Sequence, residues 1–282
     1  MFRRGPSKSV LLLLWDLQTD RLQTGQWFKG RIYDRRCDLS PDGQLLAYFA
    51  ASYRGPWRTW TAISRPPYLT ALAAWPKGDA WGGGGLFHDN RSLELNHWPG
   101  PDMQVAAEFA LPRGFSVEPL GPESGRGEDD PISSIRAHRD GWTLASQGHS
   151  SKFGVGAPYK WRIDPPTILE KPLDARRVVL LQTNLHGIGE RDGSWYAQTG
   201  RLVHTSTGDE LELGRIDWAD VDKNGDVLFA RTGCLFRLRR RDIGSLKDPG
   251  APKLIANLSD VRFEVVSAPQ IAHSWPKASR QT

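Results

Sequence analysis

Short apolar runs broken by tight polar turns recur along the whole chain, and one unit repeats. An apolar run leads into a two-residue turn of Asp, Asn, Lys or Gly, and a second apolar run leaves it. The first copy spans 37–48 and turns at Asp42-Gly43. Further copies turn at Lys77-Gly78, Asp140-Gly141, Asp192-Gly193 and Asn224-Gly225. Such pairs tolerate positive φ, and turns of that kind match the twist of paired strands, so each predicts a β-hairpin. Third strands are predicted at 59–63, 92–95, 159–163, 202–204 and 234–238. Weaker fourth strands fall at 167–169, 210–213 and 253–256. Four strands per unit of roughly 40 residues is the pattern of a propeller blade.

The chain starts in the middle of such a unit. Residues 10–15 and 22–28 read as two outer strands, and 262–266 near the other end reads as an inner strand. The pattern therefore predicts an all-β fold: a β-propeller of about six blades, with five as the alternative count. Its ring closes by pairing N- and C-terminal strands, which leaves no open edge. The expected organisation is a single domain over 1–282, with a loop insertion near 121–130 and a flexible tail from about 270.

Ser40-Pro41-Asp42-Gly43-Gln44-Leu45-Leu46-Ala47-Tyr48 resembles the Ser-Pro-Asp-Gly…Leu-Ala-Tyr signature of TolB-type and WD-repeat-like propellers. Leu14-Trp15-Asp16-Leu17-Gln18-Thr19 resembles the outer hairpin of a WD-type blade. The full match covers one repeat. It implies a propeller that serves as a platform for partners, and it carries no catalytic residue across.

Composition agrees with strands and turns. Glycine (29) and proline (20) are frequent, and there are 12 tryptophans. The net charge of +5 is a mild excess, and it does not predict nucleic-acid binding. Cys37 and Cys234 form no zinc motif and no disulfide framework, and read as the buried thiols of a cytoplasmic protein. The apolar run at 10–14 stops at Trp15-Asp16 with no cleavage site behind it, so no signal peptide is expected. No stretch reaches the roughly 20 apolar residues of a membrane span.

Several residues bear on chemistry. Asp220, Asp222 and Asn224 occupy positions one, three and five of a calcium-type loop, with Gly225 at six. Arg231 stands where the closing carboxylate belongs, so the segment also reads as a plain polar hairpin. Arg237, Arg239 and Arg241 alternate, which in a strand would put them on one face. Gly82-Gly83-Gly84-Gly85 lacks the Lys-Ser/Thr of a phosphate loop, and reads as a place where backbones approach closely. The seven histidines, including His88 and His97, show no metal-ligand spacing. Trp57, Arg58 and Trp60 beside a Pro-Gly loop are the candidate partner anchors, because aromatic and Arg residues dominate binding hot spots.

The reading is therefore a non-catalytic β-propeller acting as a protein-interaction scaffold: a monomer whose partner is another protein. One alternative is an enzyme or small-molecule binder with its site at the mouth of the central channel. Its residues would come from Asp34, Arg35, Arg36, His138, Arg139, His186 and Asp217. The other is a calcium-stabilised propeller using Asp220, Asp222 and Asn224; no other cofactor is expected.

Overall fold

Alternation along one strand explains the core of the first half of the chain. The computed structural model describes residues 1–4, 9–52, 54–152, 158–190, 194–243 and 246–277. Two compact units emerge: residues 1–136 with 261–282, and residues 137–260. Strand makes up 46% and helix 8%, so the fold is all-β.

Unit one holds three sheets. The first contains β1 (Phe2–Arg4), β2 (Ser9–Asp16) and β3 (Arg21–Lys29) in that order. The second is built from β4 (Arg31–Ile32), β5 (Asp38–Leu39), β6 (Leu46–Ala51), β7 (Thr59–Ser64) and β8 (Ala71–Pro76). The third holds β9 (Gly85–Asp89), β10 (Ser92–Leu95) and β11 (Ser116–Pro119).

Every residue of β6 is buried. Leu46, Tyr48 and Ala50 pack with Val10 and Leu12 of β2. Ala47, which points to the other side, packs with Phe87, Leu93 and Leu95 of the third sheet. A strand covered on both faces reads as a continuous apolar run, and residues 45–51 do so. Strand β11 pairs parallel to β10, a departure from the expected antiparallel meanders.

Helix α1 (Ile132–Arg139) is where one unit's chain gives way to the other's. The repeat pattern predicts a hairpin turn at Asp140-Gly141 with an apolar strand leading into it. The structure corrects this: Gly141 (φ +88°) caps α1. Its N–H donates to the His138 carbonyl (3.1 Å), and that of Trp142 donates to Ala137 (2.9 Å). This is the double bond of a glycine-terminated helix. Pro131 just ahead of the helix suits its start, where an N–H has no partner to lose.

Unit two holds two sheets. One contains β12 (Thr143–Ser146), β13 (Ser150–Lys152), β14 (Trp161–Pro172), β15 (Val179–Ile188), β16 (Tyr196–His204) and β17 (Glu210–Ile216). The other is a meander of β18 (Trp218–Val221), β19 (Val227–Arg231), β20 (Cys234–Leu238) and β21 (Lys253–Asn257). A short helix, α2 (Arg240–Ile243), follows β20. Leu181, Leu202 and Leu213 pack with Val227, Phe229 and Leu238 to form the core of this unit.

Gly43 (φ +70°) and Gly225 (φ +81°) sit in hairpin turns as expected. Gly78 also has positive φ, but it opens a loop that runs to Gly85, so Trp81 is not in a strand. Gly193 lies outside the described residues.

Two further expectations are corrected. Among the described residues no sheet closes on itself and the N- and C-terminal segments do not pair. There, strand β1 pairs with β2, and residues 262–266 join no strand. This segment is held by contacts rather than by a ladder: Gln26 Nε2 donates to the Val266 carbonyl (3.2 Å), and Phe263 lies against Trp27. Val265 is 80% exposed, so the apolar residues that suggested an inner strand are not covered on both faces. Residues 270–273, placed in the expected tail, form a turn of 3-10 helix with Ala272 buried, and Trp275 packs on Phe115.

Candidate interaction surface

The site in unit one is built outward from a buried cation. Arg36 is almost wholly inaccessible. Its Nε donates to Asp129 Oδ1 (2.7 Å), and one terminal nitrogen donates to the carbonyls of Ala80 (2.7 Å) and Gly82 (2.5 Å). Its guanidinium lies over the Tyr33 and Phe49 rings. A buried ion pair of this kind is costly to break, because the surviving partner is left without its counter-charge.

The glycine run lets this arrangement close. A Cβ on Gly83 would lie 2.4 Å from the Phe49 ring, and one on Gly84 would lie 2.0 Å from the Arg36 carbonyl oxygen. Both have φ of +83°. The run therefore does what the sequence reading assigned to it, close backbone approach. Asn96 clips it to the insertion: its side chain donates to the Gly83 carbonyl (3.2 Å) and accepts from the Gly125 N–H (2.9 Å). The Ser124 hydroxyl reaches the carbonyls of Leu95 and His97. The expected insertion at 121–130 is thus tied into the unit, with Ser124 and Gly125 buried.

His97 completes the platform. Thr61 Oγ1 accepts from Gly84 N–H (2.8 Å) and lies 2.8 Å from His97 Nε2, to which it donates because the Asp102 carbonyl, which can only accept, holds the ring proton on Nδ1. His97 Nδ1–H donates to the Asp102 carbonyl (2.9 Å). This network fixes the neutral tautomer. Burial pushes the imidazole pKa down to about 4, and nearby Lys77 adds to the effect.

Two tryptophans project from this platform. Trp81 is 59% exposed and Trp98 is 47% exposed. Trp81 precedes Gly82, whose Cβ would strike Gly125; a Cβ on Gly125 would strike the Trp98 backbone. The backbones that carry the two indoles therefore converge on Gly125. Arg126 lies over the Trp98 ring and pairs with Glu123. Carboxylates of Asp79 and Glu123 are exposed alongside, and Glu128 and Asp130 are exposed further along the same insertion. Large exposed aromatics on a fixed backbone are the usual anchors of protein interfaces.

The predicted anchors fall elsewhere. Trp57 and Trp60 pack against the core of the first two sheets, Trp60 edge-on to Phe28. Arg58 is exposed beside them. Trp81 was missed because it followed a turn glycine and read as strand, and Trp98 because nothing local marks exposure.

In unit two, Asp220 accepts from Lys171 Nζ (2.7 Å). Asp222 Oδ1 accepts the N–H groups of Asn224 and Asp226. Arg237 stands 3.6 Å from Asp222 and 3.3 Å from Asp226. These carboxylates close a hairpin and face cations of the chain itself. Among the described residues no cluster of three or more His, Cys, Asp or Glu side chains is arranged to hold a metal.

The single arginine face is also corrected. Arg237 is buried in β20, that strand ends at Leu238, and Arg240 and Arg241 enter α2. An open hollow of about 510 Å³ beside them is lined by Asn224, Asp226 and Arg239 to Arg241. Arg240 is already paired with Asp174.

The channel-mouth candidates do not gather into one site. Asp34, Arg35 and Arg36 belong to unit one, and His186 and Asp217 to unit two. Asp34 pairs with Arg4, and Arg139 pairs with Asp140. His138 lies in α1, and Asp217 accepts from the Ser194 hydroxyl. Cys37 is buried, and burial pushes its thiol up to about 12; Cys234 is half-buried.

No protein family, no curated protein and no solved structure matches the chain. Among the described residues no helix is long and apolar enough to cross a membrane.

Proposed function

We propose that the protein is a non-catalytic scaffold that docks another protein through Trp81, Trp98 and Arg126. The observation that carries this reading is the exposure of two indoles on a backbone that the Arg36–Asp129 pair and the glycine run hold fixed. A preorganised anchor loses little freedom on binding, which favours affinity. The exposed carboxylates of Glu128 and Asp130, beyond the Lys77–Asp79 and Arg126–Glu123 pairs, favour a partner that brings a basic residue beside an apolar one.

Reading the sheets as propeller blades, without closure through the chain ends, belongs to the same proposal. The β18–β21 meander supports it, since four sequential antiparallel strands are what a blade requires.

The test compares native protein with the Trp81→Ala/Trp98→Ala double variant, and with Trp218→Ala as control. Both indoles are exposed, so the double variant keeps its melting midpoint. Proteins cross-linked to the native chain are identified and mapped. The expected result is a partner whose cross-links fall on residues 79–81, 98 and 121–130, kept by the control and lost from the double variant. Retention of every partner by the double variant overturns the proposal.

A further inference from the structure

Unit two contains a hollow of about 400 Å³ lined by Tyr159, Arg162, Ile163, Asp164, Pro166 and His186, with Pro158 at its rim. It exists because two strands leave register at one level. On β14 the residues between Arg162 and Thr167 stand opposite His186 alone. On β15, His186 is itself the extra residue between the Leu185 and Gly187 pairs. Bulges re-aim side chains and are frequent beside binding sites. The bulge is anchored, because the Asp164 N–H donates to the His149 carbonyl (3.0 Å). Gly148 beneath it leaves no room for a Cβ against Pro165 and Ile163.

The walls have a consistent chemistry. The Tyr159 ring sits against Gly187, where a Cβ would come within 2.7 Å of it. Arg162 and Asp164 form an ion pair that is half exposed to solvent. His186 Nε2 meets the Thr199 hydroxyl (3.0 Å), and among the described residues Nδ1 has no hydrogen-bond partner. Burial and, after it, the nearby Arg215 lower the His186 pKa, which favours the neutral ring. Arg215 is itself held by both oxygens of Glu190. The lining thus offers an aromatic face, apolar Ile163 and Pro166, and planar donors and acceptors of no net charge.

We infer that this hollow binds a neutral saccharide of one or two rings. A charged ligand would compete with ion pairs already formed. A purely apolar ligand would bury the Arg162–Asp164 pair without replacing its water. Adjacent sugar hydroxyls give donors and acceptors to the pair and to His186, while the C–H face of the ring lies on Tyr159. The volume is at the small end of ligand pockets. This inference is independent of the docking surface in unit one.

Saturation-transfer NMR on the full chain tests it. The probes are glucose, galactose, mannose, N-acetylglucosamine and their disaccharides, with glucuronate, benzoate and indole as comparators. The expected result is binding of at least one neutral sugar in preference to all three comparators. Tyr159→Ala abolishes that signal. Asp164→Ala, an exposed position that leaves the fold intact, weakens it about tenfold, the loss expected for one hydrogen bond to a charged group. Trp81→Ala leaves it unchanged. The inference is overturned if no neutral sugar binds, if a comparator binds better, or if the signal survives both substitutions in unit two.

Discussion

His97 is the residue whose chemistry most depends on its surroundings. Its imidazole has a folded pKa of about 4 against an ordinary 6.5. The folded protein therefore binds fewer protons than the unfolded chain between these values, and stability falls as pH drops. The contribution is fully present above pH 6.5 and is lost progressively down to about pH 4. The difference between these two values corresponds to about 3 kcal/mol. Urea titrations at pH 7 and pH 4.5 check this: the loss on acidification is expected to shrink in His97→Gln. An equal loss in both proteins would mean that other groups carry the acid response. Nothing in the sequence around residue 97 announces this. The tautomer is set by a threonine from β7 and a carbonyl from the following turn, and such partners become visible only once the strands have met.

The same limit appears among the elements. Strands were legible wherever apolar runs ended in turn residues, as in β6, β7, β19 and β20. Gly141 was misread because a helix end and a hairpin both need a residue at positive φ. Apolar residues 263, 265 and 266 were misread because period-two alternation reports a half-buried surface only if another strand is there to pair. The calcium-like hairpin between β18 and β19 is a milder case. Asp220 sits in β18 and Asp222 and Asp226 flank the turn, while the cations they face, Lys171 and Arg237, come from β14 and β20. Because Lys171 and Arg237 already face these carboxylates, calcium is expected to leave the melting midpoint unchanged in scans with excess calcium and with chelator. A concentration-dependent rise would reveal binding to the folded state.

For the whole molecule, the division into two units matters most. Each has its own core: that around Leu46, Ala47 and Phe87 in one, and that around Leu181 and Phe229 in the other. Calorimetry is expected to resolve two transitions, since separate cores unfold as separate cooperative bodies. Acidification from pH 7 to pH 4.5 is expected to lower the unit-one transition more, because His97 lies there. A single transition moving as a whole would contradict this. The repeat pattern made the chain read as one uniform array. The boundary near residue 137 was invisible because it falls inside α1 rather than in a linker.

The tethering of residues 121–130 also has a practical side. Surface loops are where insertions and labels are normally tolerated, and by sequence this polar, glycine-rich stretch would be the first choice for a tag. Its backbone is enclosed by Asn96, Gly82 and Trp98, so a graft there would push apart the glycine run and the seat of Arg36. The exposed hairpin at 205–208, where Gly208 has open space around it, is the place to attach a fluorophore or an affinity handle.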